Sequence, residues 1–351
     1  MYFYLLILCL LVIFAFFDYF NISIANKIML FFIAIILIFI SGFRYGLETD
    51  YWGYWRIFHG TSTADVEIGY RLVSNLIKLF TNNFNYFLLC ISIISIGLKC
   101  KIFSKVQYPF VALLFFFLRF FLIIELNVMR QGLALSFLII AIYFLYRNKK
   151  IESFFFMCIA TTIHISSAVF ILAFIVKDLN WNVKRLAVCF TFCIIFRLYL
   201  LIPIIDMFSS FAGVGGTFLV KGTRYLLQST SPSIANMLFS TLKILIPAIC
   251  MYLLGLDEKN TFYFNMYIVG CMFHIILLGM NTIAYRMALI FYSTEGMVIS
   301  QSIKHRNLKT IILITIIFLL DFITFYNGLD SSLTAIPYKN YWFIDPNIVI
   351  E

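Results

Sequence analysis

The sequence predicts an all-α polytopic membrane protein, and three features support this prediction: the composition, the apolar runs and the placement of the lysines. Hydrophobic residues make up 63% of the chain and charged residues 12%, whereas an average soluble domain has roughly one half and one quarter. The mean hydropathy is +0.99. Because such a chain cannot bury its apolar surface in a water-soluble core, lipid must surround most of its helices.

Apolar runs recur along the whole chain, and most have the roughly 17–25 residues that a helix needs to cross a bilayer. They cover residues 2–20, 27–43, 84–103, 108–126, 129–147, 152–176, 185–205, 235–256, 261–280, 283–300 and 308–327. Ten of these runs are predicted to cross the membrane in full, and one is predicted to turn back. No internal repeat or soluble domain is evident, so residues 1–351 are predicted to form a single integral membrane domain.

Two long polar stretches, residues 44–83 and 206–234, are predicted to be loops on the periplasmic side. Within the first loop, residues 66–80 carry apolar side chains at helical spacing and polar side chains on the opposite face. This pattern predicts an amphipathic helix that lies in the membrane interface.

Basic residues set the predicted orientation through the positive-inside rule. Four basic loops are predicted to be cytoplasmic, namely those of Lys99, Lys101 and Lys105, of Arg147, Lys149 and Lys150, of Lys177, Lys184 and Arg185, and of Lys304, Arg306 and Lys309. The run 152–176 lies between two of these loops, so a single crossing would place one of them outside. We therefore predict that this run is a helical hairpin with His164 at its outer tip, and that both termini lie outside.

The basic residues predicted to lie outside are mainly arginines, whose planar fork suits bidentate binding of phosphate or carboxylate. The net charge of +10 is therefore assigned to orientation and to an anionic ligand, and not to nucleic acid. The eight cysteines lie mostly in apolar runs, without the spacing of a metal site or a disulfide framework. No metal and no cofactor is predicted.

Ionisable groups at the predicted outer ends of the spans form the candidate site, because such groups are costly in lipid and usually functional. Binding of an anionic substrate is assigned to Arg130, Arg224, Arg286, Arg44, Lys339 and Tyr338. Base or hydroxyl-orienting roles are assigned to His164, Asp50 and Glu67. Ordinary alternatives stay open: an arginine can contact lipid headgroups, Asp50 can cap a turn, and His164 can belong to the core. Glu125 is expected to pair with Arg119 or Arg130.

An ordered set of short motifs resembles a known family. The motifs are FRYGLETDYWGYW, EIGYRLV, VMRQGLALS, HISSAVF, NTIAYRM and IPYKNYWF, and together they span residues from about 40 to 343. In this order they resemble the EpsG-type branch of the Wzy O-antigen and capsule polymerases. The family often has Arg-x-Gly-x-Asp-Tyr in the first motif, and here two extra residues separate Gly46 from Asp50.

The resemblance implies a GT-C-like glycosyltransferase of the bacterial inner membrane with its active site facing the periplasm. Such enzymes join oligosaccharide repeat units carried on undecaprenyl diphosphate, and they need no nucleotide sugar and no metal. The implied partners are the undecaprenyl-diphosphate-linked oligosaccharide and membrane lipid, with a chain-length regulator and a flippase as further partners.

Three other functions are compatible with the same sequence features. The first is an O-antigen ligase that moves the glycan to a lipid A core or a protein by similar chemistry. The second is a non-enzymatic polysaccharide flippase or other transporter, a class that usually shows repeats and charged residues at mid-membrane. The third is an acyltransferase that acts on polysaccharide; it would need a catalytic histidine on the donor side, and His164 alone does not exclude it.

Overall fold

The computed structural model describes residues 2–22, 25, 27–47, 50–62, 66–200, 234–278, 281–303, 307–330 and 337–343. These residues are mostly helical and contain no β-strand; an isolated antiparallel bridge joins Arg44 and Asn340. The predicted loop 206–234, with Arg224, lies outside the described residues except for Ile234, which begins a helix.

Fifteen α-helices follow one another through the described part of the chain. The first eight are α1 (Tyr2–Tyr19), α2 (Lys27–Gly42), α3 (Tyr51–His59), α4 (Ile68–Lys78), α5 (Phe84–Phe103), α6 (Pro109–Phe116), α7 (Met129–Tyr146) and α8 (Lys150–Ile163). The others are α9 (Leu172–Val176), α10 (Val183–Ile195), α11 (Ile234–Leu253), α12 (Glu258–Ile276), α13 (Asn281–Tyr292), α14 (Glu295–Ser302) and α15 (Leu308–Asp330). Helix α6 continues as π-helical turns over Phe117–Asn127, and a 3-10 helix over Ile165–Ile171 precedes α9.

Within the described part of the chain, five helical segments are long and apolar enough to cross a membrane. They are Tyr2–Tyr19, Phe84–Phe103, Pro109–Asn127, Met129–Tyr146 and Leu308–Leu329. Shorter apolar helices cover Lys27–Gly42, Ile165–Val176 and Leu238–Leu253. The described residues are therefore all-helical with five candidate membrane spans, while ten full crossings and a GT-C-like arrangement stay predictions.

The segment Pro109–Asn127 is the centre of the helical packing, since 83% of its span is buried, against 22% for Leu308–Leu329 at the periphery. Helix α7 packs closely against its π-helical part at Gly132, where an added Cβ would lie 2.7 Å from the Ile124 carbonyl oxygen. The short distance ties the start of α7 to the most deeply buried part of the protein.

Lys99 is not a loop residue, and its assignment to a cytoplasmic loop is wrong. It lies within α5, where its Nζ is 2.8 Å from Glu125 Oε1 and also donates to the Gly132 carbonyl at 2.8 Å. Ser95 Oγ donates to the other oxygen of Glu125 at 2.9 Å. The expected pairing of Glu125 with Arg119 or Arg130 is therefore also wrong. A buried lysine needs a buried carboxylate, because an unpaired charge away from water is costly.

Arg119 is the centre of a second buried ion group. Its Nη1 lies 2.6 Å from Glu295 Oε2 in α14 and 3.5 Å from Asp321 Oδ1 in α15. Tyr267 and Tyr292 place their rings within about 6 Å of its guanidinium. The group therefore joins the buried segment Pro109–Asn127, which carries Arg119, to helices α12, α13, α14 and α15.

The predicted run 283–300 is not one continuous helix, because it divides into α13 and α14 at Ser293 and Thr294. The Ser293 hydroxyl donates to the Ile290 carbonyl at 2.7 Å, and the Thr294 hydroxyl donates to the Phe291 carbonyl at 2.7 Å. Hydroxyls that bond local carbonyls compete with helical hydrogen bonds. Helix α3 was also not predicted.

The chain reverses at His164, as predicted for the run 152–176. The Phe154 and Phe174 rings lie 6.5 Å apart, and Lys177 Nζ donates to Asn148 Oδ1 at 3.0 Å, so the two ends meet. Helix α8 has 14 residues, which is about 21 Å at 1.5 Å per residue. This arm is therefore shorter than the roughly 30 Å hydrocarbon core of a bilayer.

Candidate active site

Five of the residues selected from the sequence lie near one another. Asp50 is on the loop before α3, Glu67 precedes α4, Arg130 begins α7, His164 is the tip of the hairpin and Arg286 lies in α13. The charges of Arg130 and Arg286 act on both Asp50 and His164, and the charge of Glu67 acts on His164. We refer to these five residues as the five-residue cluster.

Arg130 and Glu67 form the ion pair of this cluster. Arg130 Nη1 lies 2.7 Å from Glu67 Oε2, and each side chain is 24% exposed. The Arg130 guanidinium carbon lies 5.7 Å from the ring centroids of Tyr54 and Tyr70. Because Arg130 stands in the first turn of α7, the positive end of the helix dipole adds to its charge. This end of α7 therefore favours an anionic ligand.

His164 is held by the chain that follows it. It ends α8 with an extended backbone (φ −150°, ψ 117°), and its Nδ1 accepts from the Ser166 backbone N–H at 3.3 Å. The Ser166 hydroxyl lies 2.9 Å from the same nitrogen. The backbone N–H of Ile165, the residue directly after His164, donates to Glu67 Oε1 at 3.5 Å. The tip of the hairpin is therefore bonded to the Arg130–Glu67 pair.

Burial shifts the pKa values of two members of the cluster in opposite directions. His164 lies at the tip of the hairpin, between the end of α8 and the start of the 3-10 helix. Its burial lowers its pKa from 6.5 to about 4. Glu67 opposes this change, while Arg130 and Arg286 add to it. Burial raises the pKa of Asp50, and the charges of Arg286 and Arg130 oppose that rise. His164 is therefore neutral near pH 7.

Two residues that flank Arg130 position other members of the cluster, and the sequence alone did not indicate them. Asn127 Oδ1 accepts from the Asp50 backbone N–H at 3.1 Å. Gln131 Nε2 donates to the Arg286 carbonyl at 2.7 Å. Both stand in the segment NVMRQ around Arg130, so the segment brings the chain near Asp50 and Arg286 to the same end of α7.

A family comparison covers every residue of this cluster. A model described as the EpsG family matches residues 27–340. The chain belongs to the EpsG family. A search of curated proteins and a search of solved structures found no match. The family assignment confirms the resemblance of the motifs.

Three other predicted site residues of this EpsG-family protein are described, and their hydrogen bonds are made outside the five-residue cluster. Arg44 is 1% exposed, and its guanidinium donates to the Ser41 carbonyl and hydroxyl and lies 4.0 Å from Met129 Sδ. Tyr338 donates from its hydroxyl to the Ile40 carbonyl at 3.0 Å. Lys339 is exposed, and its carbonyl accepts from the Tyr45 N–H at 3.0 Å. Their assignment to substrate binding stays a prediction.

Helix α4 of the EpsG-family protein docks on the hairpin through Gly69. A Cβ at Gly69 would overlap Thr162 Oγ1 and would lie 2.7 Å from the Thr162 carbonyl oxygen. Helix α4 also exposes an apolar stripe made up of Ile68, Leu72 and Leu76. Helix α4 lies within the segment 66–80, whose placement in the membrane interface stays a prediction. The close contact of α4 with α8 places Glu67 beside the hairpin tip.

We expect the substitution Gly69→Ala to lower the free energy of unfolding by about 1–3 kcal/mol, because the added methyl group has no space against backbone atoms. The melting temperature of the purified protein in detergent measures this. Gly53→Ala in α3 is the matched control, since nothing lies within 4 Å of its Cβ position. Equal melting temperatures for the two variants would contradict the tight contact.

Proposed function

We propose that this EpsG-family protein is a glycosyltransferase that polymerises oligosaccharide repeat units carried on undecaprenyl diphosphate. The reaction would take place at the periplasmic face of the bacterial inner membrane and would need no metal. One observation carries the proposal: two arginines, a histidine and two carboxylates from five separate segments lie close enough for their charges to interact. That set combines groups for an anionic leaving group with groups for a hydroxyl.

The leaving group explains why the site holds arginines. When the growing chain leaves its lipid carrier, negative charge develops on the diphosphate oxygen that was bonded to the sugar. Donors that are already in position and partly shielded from water stabilise such charge strongly. Arg286 supplies a cation, and Arg130 supplies a second one that Glu67 partly balances.

The acceptor explains why the site holds carboxylates. A sugar hydroxyl is a weak nucleophile, and a general base that removes its proton during attack accelerates the reaction. Asp50 and Glu67 are the carboxylates of the cluster, and both stand next to a cation that would face the diphosphate.

The surrounding surface suits lipid-linked substrates. The apolar stripe of α4 begins at Ile68, directly after Glu67, and Ile68 is 64% exposed. A diphosphate at the cluster would therefore have apolar surface beside it for a polyprenyl chain, which partitions into lipid. We include a flippase and a chain-length regulator among the proposed partners, because they would supply the substrate and limit its growth.

A deletion strain tests this function. If the protein is the polymerase, the mutant will lose the polysaccharide ladder on a gel and keep single repeat units transferred to their final acceptor. Loss of the single transferred units as well would indicate a ligase. Accumulation of lipid-linked single units on the cytoplasmic side would indicate a flippase, and either result would contradict the proposal.

A further inference from the structure

Within the proposed polymerase reaction, the roles of His164 and Asp50 can be separated. We propose that His164 is not the base, that it donates a hydrogen bond from Nε2–H to the leaving diphosphate, and that Asp50 takes the proton of the acceptor hydroxyl. This inference rests on the proposed function, and it assigns different chemistry to two residues that the sequence treats alike.

The contact with Ser166 decides which nitrogen of His164 carries the proton. A backbone N–H can only donate, so Nδ1 must present its lone pair to the Ser166 amide 3.3 Å away. The Ser166 hydroxyl, 2.9 Å away, then donates to the same nitrogen. In a neutral imidazole the proton is therefore on Nε2. Nε2 makes no hydrogen bond with any residue that the structure describes, so it is available to donate.

The charged groups around His164 come from three elements: Glu67 before α4, Arg130 in α7 and Arg286 in α13. Two of these three are cations, and the carboxylate of Glu67 is already paired with Arg130. A second proton on the ring would also have to displace the Ser166 amide from Nδ1. A histidine in this setting stays neutral and donates.

Glu67 and Asp50 differ in the hydrogen bonds that their carboxylates accept. Glu67 accepts from Arg130 through one oxygen and from the Ile165 N–H through the other. Asp50 is held through its backbone by Asn127, and no hydrogen bond to its carboxylate is found among the described residues. Its burial favours proton uptake, which brings a carboxylate closer to the basicity that a general base needs.

The acceptor hydroxyl loses its proton to the Asp50 carboxylate, and its oxygen forms a bond to the anomeric carbon of the growing chain. The bond from that carbon to the diphosphate oxygen breaks, and the electron pair stays on the oxygen. His164 Nε2–H and Arg286 stabilise this charge. Asp50 later returns its proton to water, and no oxidant or metal takes part.

Glutamine at position 164 separates the two roles, because its amide nitrogen can stand where Nε2 does and is not basic. In an assay with purified protein and lipid-linked repeat units, we expect His164→Gln to keep activity within about 10-fold of the unsubstituted protein. We expect His164→Ala and Asp50→Asn each to lose about 100-fold. Equal losses for His164→Gln and His164→Ala, or an active Asp50→Asn, would overturn the assignment.

The pH dependence gives a second readout that does not require the alanine variant to fold. The polymerisation rate should fall as the pH is lowered, because Asp50 becomes protonated. The His164→Gln variant should show the same fall in rate at low pH. Loss of that fall in His164→Gln would show that His164 is the base. Failure of the unsubstituted protein to form polymer would instead overturn the proposed function, so the two failures are distinguishable.

Discussion

Replacement of Arg286 by alanine is expected to lower the rate of polymer formation by about 100- to 1,000-fold, the usual cost of removing one preorganised donor from a developing negative charge. Arg286 is the cation of the five-residue cluster whose guanidinium has no hydrogen bond or ion pair with any described residue. Arg130, in contrast, shares its charge with Glu67. The rate can be measured with purified protein and undecaprenyl-diphosphate-linked repeat units.

Two variants make the Arg286 experiment specific. Arg286→Lys keeps the charge but loses the planar fork, so we expect an intermediate rate. Arg56→Ala removes an exposed arginine of α3 that lies outside the cluster, and it should leave the rate unchanged. A normal rate for correctly folded Arg286→Ala would contradict the role of this residue.

Replacement of Arg119 by alanine is expected to lower the free energy of unfolding by about 3–5 kcal/mol, because it leaves two buried carboxylates without their cation. Glu295 and Asp321 are both almost fully buried, and both contact Arg119. Since native proteins are stable by only about 5–15 kcal/mol, the variant should yield little folded protein. Yield of monodisperse protein and melting temperature in detergent measure this.

The matched control for Arg119 removes all three charges together. The triple variant Arg119→Met, Glu295→Gln and Asp321→Asn leaves no unpaired buried charge, and it should recover much of the lost stability. If Arg119→Ala alone melts like the unsubstituted protein, the buried ion group does not hold these helices together.

Much of the helical architecture follows from the sequence, because each apolar run ends where polar residues begin. The predicted run 84–103 and helix α5 (Phe84–Phe103) have the same bounds. The hairpin was also predictable, since lysine and arginine at both ends of 152–176 oppose a single crossing. Here charge placement carried information that hydropathy alone does not.

Other features depend on tertiary contacts that a linear pattern does not contain. Lys99 was assigned to a loop because two further lysines follow it, but its partner Glu125 stands on another segment of the chain. The division at Ser293 and Thr294 arises from hydroxyls that bond local carbonyls. Helix α3 is short and rich in aromatic residues, so its sequence resembles an interfacial belt as much as a helix.

The candidate site was predictable in part. Five of the nine selected residues come together, and four of them stand at the end of a helix or at a turn, where chains from different parts of the sequence can meet; Arg286 lies within α13. Arg44 was selected on the same basis, yet it is buried against Ser41 and Met129. Asn127 and Gln131 act through backbone groups of Asp50 and Arg286, and uncharged residues in such positions have no distinctive sequence signal.

The most direct test of the central claim is a reconstituted polymerisation with the purified protein in liposomes, supplied only with undecaprenyl-diphosphate-linked repeat units. We predict a ladder of products, one undecaprenyl diphosphate released for each new linkage, and no need for nucleotide sugar or added metal. Arg286→Ala in the same liposomes should give almost no ladder. The absence of a ladder from the unsubstituted protein, or an equal ladder from the variant, would contradict the account.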